Sequence, residues 1–315
     1  MAATPASGVR SAVPEDLPRL RTLAVAALRW DEADAAELVD LLWPTVQSEF
    51  ALVSTVDGAI VGLAFGSLGP VPRDPAAARR GHINLLAVSA EVRRQGHATA
   101  LATELERRLT SVGAVDVLIG GATPRFAWPG IDVRYTAATC FAEARGYVRQ
   151  RDAVNMTVEL DVAAEAGRFA TEMGERRLAE HGITVRRLVE SDRVLIAPWL
   201  AGWGGTWREE TLSTLDHPEA AGTYVAVLRD GAADAEYVGF ASYGVNRRDW
   251  FGPMGTGGEL RKLGIGGVLL RRCLSDMREH GYQTAQIGWT GPVAFYARAV
   301  DAYVDRVYWM YRKDR

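Results

Sequence analysis

The 315 residues exceed what one hydrophobic core comfortably fills and suit two domains of roughly 150 residues each. An apolar fraction of 48% with 24% charged residues describes a globular chain and excludes disordered or fibrous classes. The net charge of −3 lacks the basic surplus that phosphate backbones demand, and no apolar run approaches the ~20 residues of a membrane span, so neither nucleic acid nor membrane is expected as a partner.

In chain order, the N-terminus has neither a basic nor an apolar leader segment, which together with two distant cysteines predicts a reducing, cytoplasmic setting. Cys140 and Cys273 lack CxxC or Cys/His spacing, so neither metal nor disulfide is expected. A strand is predicted at Val9 to Val13, then a helix on the spacing of Leu17, Leu20, Ala24 and Leu28. Strands at Phe50 to Thr55 and Ile60 to Ser67 flank Asp57-Gly58, a strong hairpin signal. A strand at His82 to Val88 leads through Arg93-Arg94-Gln95-Gly96-His97-Ala98 into a helix carrying Leu101, Leu105 and Leu109. A strand at Val115 to Ile119 and a helix near Ala137 to Arg145 close the half.

The second half repeats the order. Strands are predicted at Ile183 to Leu188, Thr223 to Leu228, Tyr237 to Val245 and Phe251 to Thr256, with a helix after Ser191-Asp192. Arg261-Lys262-Leu263-Gly264-Ile265-Gly266 then opens a helix with Leu269, Leu270, Cys273, Leu274 and Met277. A strand at Thr284 to Trp289, a helix at Pro292 to Val300 and a last strand at Tyr303 to Tyr311 follow. Gly96 and Gly264 stand 168 positions apart, a domain-sized repeat. Expected domains are therefore 1–160 and 181–315, joined by a linker helix within 161–180 whose Ala, Glu and Arg run from Ala163 to Ala179.

The informative unit is strand, Arg-x-x-Gly-x-Gly/Ala, helix. Consecutive amides at a helix start form an anion site, and small residues at Gly96, Ala98, Gly264 and Gly266 let a diphosphate approach. Alone the hexapeptide is weak and reads equally as a glycine-softened turn. Its recurrence in matching element order makes it informative, whereas GxxxxGK[ST] and a strand-borne GxGxxG are absent.

Both halves resemble the GNAT N-acetyltransferase superfamily, whose core motif is [Q/R]-x-x-G-x-[G/A]. Ile83 to Leu109 and Phe251 to Gly281 carry the likeness, as do Phe141 to Tyr147 and Phe295 to Val300. The pattern is similar to tandem GNAT proteins of actinobacterial biosynthetic clusters such as the clavulanic acid one, which adds secondary metabolism to the expectations. The resemblance implies an α/β (α+β) architecture of two tandem GNAT domains, each a mixed central sheet flanked by helices.

It further implies acetyl-CoA or another acyl-CoA, with pyrophosphate on each Gly loop and pantetheine along the edge of the preceding strand. The expected binding residues are Leu86, Ala87, Val88, Arg93, Arg94, Gln95, Gly96, His97, Ala98 and Thr99 in the first half. In the second they are Met254, Gly255, Thr256, Arg261, Lys262, Leu263, Gly264, Ile265, Gly266 and Gly267. In the superfamily a tyrosine four residues before the Gly of the final helix often protonates the leaving thiolate. Tyr296 holds that place, with Val300 instead of Gly, whereas the first half has Ala142.

The resemblance thus implies acyl transfer to a small-molecule amine by a catalytic C-terminal domain, with a structural or regulatory N-terminal CoA site, in a monomer or homodimer. A non-catalytic acyl-CoA sensor is the alternative, and a protein N-acetyltransferase a third reading. Trp199, Trp203 and Trp207, spaced by four, read as a core stripe or as an acceptor wall, with Trp203 and Trp207 as candidate substrate contacts. The positions where relatives carry a glutamate base are Asn84 and Gly252, and Asp249 and Glu259 are the nearest acids in the second half. Phe126 to Gly130 reads as a cover for the thioester end of a bound donor or equally as a packed connection, and His97 either stacks on or meets phosphate of a donor or faces solvent.

Overall fold

Apolar spacing becomes structure most directly in the helix His97–Ser111, where Leu101, Leu105 and Leu109 are fully buried. Each such leucine contributes about 1.5–3 kcal/mol by leaving water. The computed structural model describes residues 7–43, 48–69, 79–121, 126–204, 206–232 and 234–314. Its elements begin with β1 (Ser7–Ser11), α1 (Leu17–Ala27), α2 (Ala35–Leu42), β2 (Ala51–Val56), β3 (Ala59–Leu68) and β4 (Arg80–Val88). Next come α3 (His97–Ser111), β5 (Asp116–Ile119), β6 (Ile131–Asp132), α4 (Thr136–Ala144) and β7 (Val148–Glu159).

Then follow α5 (Leu160–Glu165), α6 (Glu172–Glu180), β8 (Ile183–Arg187), α7 (Arg193–Leu200), α8 (Trp207–Ser213), β9 (Gly222–Leu228) and β10 (Glu236–Tyr243). The chain ends with β11 (Trp250–Thr256), α9 (Ile265–Glu279), β12 (Thr284–Ile287), α10 (Val293–Val300) and β13 (Tyr303–Asp314).

Two compact units result: Met1–Ala153 with Tyr308–Arg315, and Val154–Val307. The sequence reading gives 181–315 to the second half, yet Tyr311 to Asp314 pair antiparallel with Ile119 to Asp116 of β5 in the first unit. Tyr311 donates to Glu143 at 2.9 Å and Lys313 to Glu106 at 3.1 Å, which fixes that end of β13 to α4 and α3. The expected linker helix is two helices, α5 and α6, parted at Gly167 with φ of +70°, and both belong to the second unit. The reading omits α2 and β7 altogether.

In the first unit the sheet order is β1, β2, β3, β4, β5 and β13, antiparallel except for β4 beside β5. Leu52, Ala64, Ile83, Leu101, Leu105 and Leu109 form a core on the α3 face. In the second unit β7, β12, β11, β10, β9 and β8 repeat the order, with β11 parallel to β12. Its α9 face buries Phe251, Ile265, Leu269, Cys273 and Met277, and its other face packs Ile196, Leu200, Val225 and Phe240. Asp57 and Gly58 both take positive φ, +48° and +82°, as a two-residue hairpin turn requires.

Candidate active site

Each unit contains a place where two parallel strands part. β4 pairs with β5 only from Arg80 to Ile83, and β11 with β12 only at Trp250 and Phe251. Beyond those residues Leu86, Ala87 and Val88, and likewise Met254, Gly255 and Thr256, lie along edges that β5 and β12 no longer cover. Both strands bulge at the same step. Phe65 pairs with Leu85 and Gly66 with Ile83, leaving Asn84 extra, while Ala241 pairs with Met254 and Tyr243 with Phe251. A bulge there bends the strand away from its parallel neighbour and opens the gap.

The Gly loops follow these edges. Gly96 and Gly264 are the N-caps of α3 and α9, both left-handed, at φ of +91° and +87°. A Cβ on either would meet nothing within 4 Å, so glycine is needed for the dihedral and not for room. Among the described residues, no acceptor meets the amides of His97, Ala98 and Thr99, nor those of Ile265 and Gly266. A cradle of free amides at a helix start suits a diphosphate, so the residues present fit a CoA-type donor. Gly266 faces Met254, Thr256 and Phe295 at 3.7–3.8 Å from where its Cβ would stand, which joins the second loop to its open edge.

The flanking side chains are less uniform. Arg93 turns back to the Val88 carbonyl at 3.2 Å, Gln95 to the Glu91 carbonyl at 3.4 Å, and Arg94 is exposed with φ of +64°. His97 does not face solvent: its ring is buried and its Nδ1 lies 2.9 Å from Ser54 Oγ on β2. A recess of about 220 Å³ opens there, lined by Gly8, Val9, Ser54, Gln95, Gly96, His97 and Ala100. In the second loop Lys262 is exposed, Leu263 packs against the core and Ile265 is fully buried, so those two could serve a ligand only through their backbones. Gly267 donates to the Gly264 carbonyl at 3.0 Å. The side chains of Arg261 and Glu259 lie outside the described residues.

Tyr296 sits on α10 with 7% of its surface exposed, edge-on to Phe251 and Phe295 at ring distances of 6.2 and 5.0 Å. Burial pushes its phenol up to about 12, which keeps it protonated at neutral pH. Among the described residues its hydroxyl has no hydrogen-bond partner. At the matching place in α4, Ala142 is fully buried.

The three tryptophans do not share one helix. Trp199 is in α7, Trp203 ends the 3-10 turn Ala201–Trp203, and Trp207 starts α8 after Gly204 at φ of +73°. They still pack together, Trp199 edge-on to Trp203 at 5.4 Å and Trp203 stacked on Trp207 at 6.0 Å, each also edge-on to Phe240. A Cβ on Gly255 would come within 2.7 Å of the Trp203 ring, so that half-buried indole lies directly on the β11 edge. Beside them, the buried Glu210 accepts from Asn246 at 3.0 Å and from Thr206. Sequence reasoning missed this carboxylate, because nothing near it marks α8 as half-buried.

On β4, Asn84 donates to Ser67 Oγ at 3.1 Å, and its own Oδ1 is buried with no partner. His82, two residues earlier, is 8% exposed and holds its Nδ1 3.0 Å from the Gly120 carbonyl. Burial pushes its imidazole below the ordinary value, and Arg80 adds to that, while the Gly120 carbonyl and Asp116 oppose it. Asp249 lies 3.6 Å from Arg247, with which it forms an ion pair. Phe126 to Gly130 fold against β13 and β5, with Gly130 against the Trp309 backbone and the Trp128 carbonyl accepting from Gly121. No group of His, Cys, Asp and Glu suited to a metal occurs among the described residues, and no helix is long and apolar enough to cross a membrane.

Residues 17–123 match the family model described as Acetyltransferase (GNAT) family. Among curated proteins no sequence matches. Of solved structures, a GCN5-related glucosamine N-acetyltransferase region of a fungal multi-domain GH3 β-N-acetylglucosaminidase aligns at TM-score 0.77 and 17% identity, over 99% of this chain. The present chain spans 38% of that longer protein. A GCN5-related N-acetyltransferase from Sphaerobacter thermophilus aligns at TM-score 0.67 and 20% identity, over 98% of this chain and 95% of its own. A tandem GNAT protein from the clavulanic acid biosynthesis pathway aligns at 0.66 and 14%, over 98% of both chains. The chain therefore carries the GNAT fold twice in tandem, and its residues 17–123 are similar to the GNAT acetyltransferase family.

Proposed function

We propose that this protein is an acyl-CoA-dependent N-acyltransferase, acting with acetyl-CoA on the amine of a small molecule, and that the unit formed by Val154–Val307 performs the tyrosine-assisted reaction. The observation that carries the reading is the pairing of an open strand edge with unpartnered amides at a left-handed glycine, present twice. Ile265 and Gly266 would hold the diphosphate by their amides, and the edge at Met254 to Thr256 would align the pantetheine. When bound, the donor supplies an activated thioester carbonyl. A main-chain N–H near Met254 or Gly255 would then donate to the oxyanion, which needs no particular side chain.

Tyr296 would give its proton to the departing sulfur, since burial keeps its phenol protonated at neutral pH. Trp203 and Trp207 would form an apolar wall for the acceptor beside the β11 edge, where they exclude water. β11 presents Trp250 and Gly252 where a base would stand, which favours an acceptor that arrives neutral. We place the protein in the cytoplasm. The likeness to the clavulanic acid tandem protein is one of fold, and biosynthesis of a secondary metabolite remains our proposal.

Replacing Tyr296 by Phe should lower turnover at least tenfold while CoA binding, read by calorimetry, is unchanged. Unaltered turnover would remove the assignment. A sensor that binds acyl-CoA without turnover is the second reading, favoured by Ala142 in place of a tyrosine. Thiol release from acetyl-CoA across an amine panel separates the two, because only an enzyme produces it.

A further inference from the structure

At the starts of α3 and α9 the two copies share a backbone and differ in side chain. His97 and Ile265 each follow the left-handed glycine that caps the helix. Ser54 and Ala226 hold matching register positions: each pairs with a glycine of the next strand, Gly62 or Gly239, and with a valine of the edge strand, Val9 or Val185. In the second unit Ile265 and Ala226 are fully buried in one apolar cluster. The fold therefore closes without a polar pair here, and the imidazole and hydroxyl of the first unit are not a demand of the architecture.

The partners fix where the hydrogens lie. Ser54 is 2% exposed, and among the described residues its Oγ meets only His97 Nδ1, at 2.9 Å. A buried hydroxyl keeps its hydrogen bonded, so against a neutral ring it donates to Nδ1 and the ring proton stands on Nε2. A charged ring carries hydrogen on Nε2 as well. Either way His97 holds an Nε2–H that has no acceptor among the described residues, on a side chain more than nine-tenths buried.

The recess of about 220 Å³ opens on this ring, against about 30 Å³ for one water. Gly96 borders it with main chain alone, and its N–H likewise meets no acceptor among the described residues. Two unpartnered N–H groups thus border one hollow at the positive end of the α3 dipole, which suits an oxyanion. Apart from the imidazole no described residue lining the hollow is ionisable, so it suits one negative charge better than the two of a phosphate. Val9 and Ala100 add an apolar wall, which fits a short alkyl chain. The donor path lies elsewhere: the open edge of β4 faces β5, whereas the recess is bounded by β1 and β2, beyond β3 in the sheet.

We propose that this recess is a binding site for a short-chain carboxylate, one oxygen taking the His97 Nε2–H and the other the Gly96 N–H, with the alkyl end against Val9 and Ala100. The site is additional to the acyl-transfer reading, and no CoA takes part in it. Ile265 offers no donor at the matching place in the second unit.

Two measurements on the full chain, both without CoA, test this. Long-range ¹⁵N NMR of the imidazoles, assigned with His97→Gln, should show hydrogen on His97 Nε2 and a saturable shift of that nitrogen as butyrate is added at constant ionic strength. A neutral ring with its hydrogen on Nδ1, or no saturable shift, would overturn the proposal, and wild-type protein suffices for this arm. Saturation-transfer NMR then reads butyrate affinity, which should fall at least about tenfold when Ser54→Ala and His97→Ile are combined. That combination installs the pair the second unit already buries, and thermal melting checks that the fold persists. Ala100→Leu, on an exposed helix position, should fill the recess and lose butyrate while the Ser54 contact to His97 stays. Affinity unchanged in both variants, or inorganic phosphate displacing butyrate at equal concentration, would overturn the carboxylate site. With CoA absent, none of these results bears on acyl transfer.

Discussion

Replacing Gly264 by Ala tests the backbone account of donor binding with nothing else disturbed. Its φ of +87° lies where an L-residue is disfavoured by about 1–2 kcal/mol, and since the new Cβ meets nothing within 4 Å, no clash adds to that. For a unit of this size the melting temperature then falls by about 2–8 °C. The loop can instead relax to negative φ, but doing so re-aims the amides of Ile265 and Gly266. A hydrogen bond to a charged group is worth about 1.5–3 kcal/mol, so losing one weakens binding by about 10- to 150-fold. Calorimetry with CoA should find two sites in the parent and one at parental strength in Gly264→Ala. Gly96→Ala, at φ of +91°, should spare the other site. Two intact sites with unchanged melting in both variants would refute the claim that left-handed glycines build the cradles.

Gly255→Ala should destabilise the second unit by about 1–3 kcal/mol through overpacking, because its Cβ would lie 2.7 Å from the Trp203 ring and 2.9 Å from Phe240. Thermal melts check this, and indole fluorescence should report the displaced Trp203. Ending the chain at Val307 removes the Tyr311–Asp314 partners of β5 and should abolish amide-exchange protection there while β12 keeps its own; protected β5 amides would contradict the assignment of 308–315 to the first unit. Burial alone would raise the Glu106 carboxyl, but Tyr147, Lys313 and Arg145 outweigh it and hold it below the usual carboxylate range. Its stabilisation is therefore present above about pH 4.3 and lost as pH falls through the folded value. Glu106→Gln should cost about 1–3 kcal/mol at neutral pH and flatten the acid limb of a melting-against-pH curve.

What the sequence made legible depends on whether the cause was local. Gly96 and Gly264 announce themselves because only glycine rests in the left-handed well, and the leucines of α3 because helical spacing needs no distant partner. β7 escaped because Val148 to Asp152 are all exposed, so apolar residues mark only its second half. β13 was seen, but periodicity says which face of a strand is buried and nothing of which neighbour it joins, so its attachment to β5 was hidden. The burial of His97 turns on Ser54, 43 positions away, and no local pattern reports that. His82 could have been found: it precedes Asn84 by two on a strand, and period two puts both on one face.

The divergence of the two copies follows the same division between main chain and side chain. The free amides at the two helix starts and the open edges are made by main-chain dihedrals and a bulge, and glycine at Gly96 and Gly264 supplies the left-handed caps. Proton handling rests on single atoms, and one substitution removes it. The copies accordingly share the former and split the latter. His82 and Asn84 stand against Trp250 and Gly252, and Ala142 stands against Tyr296.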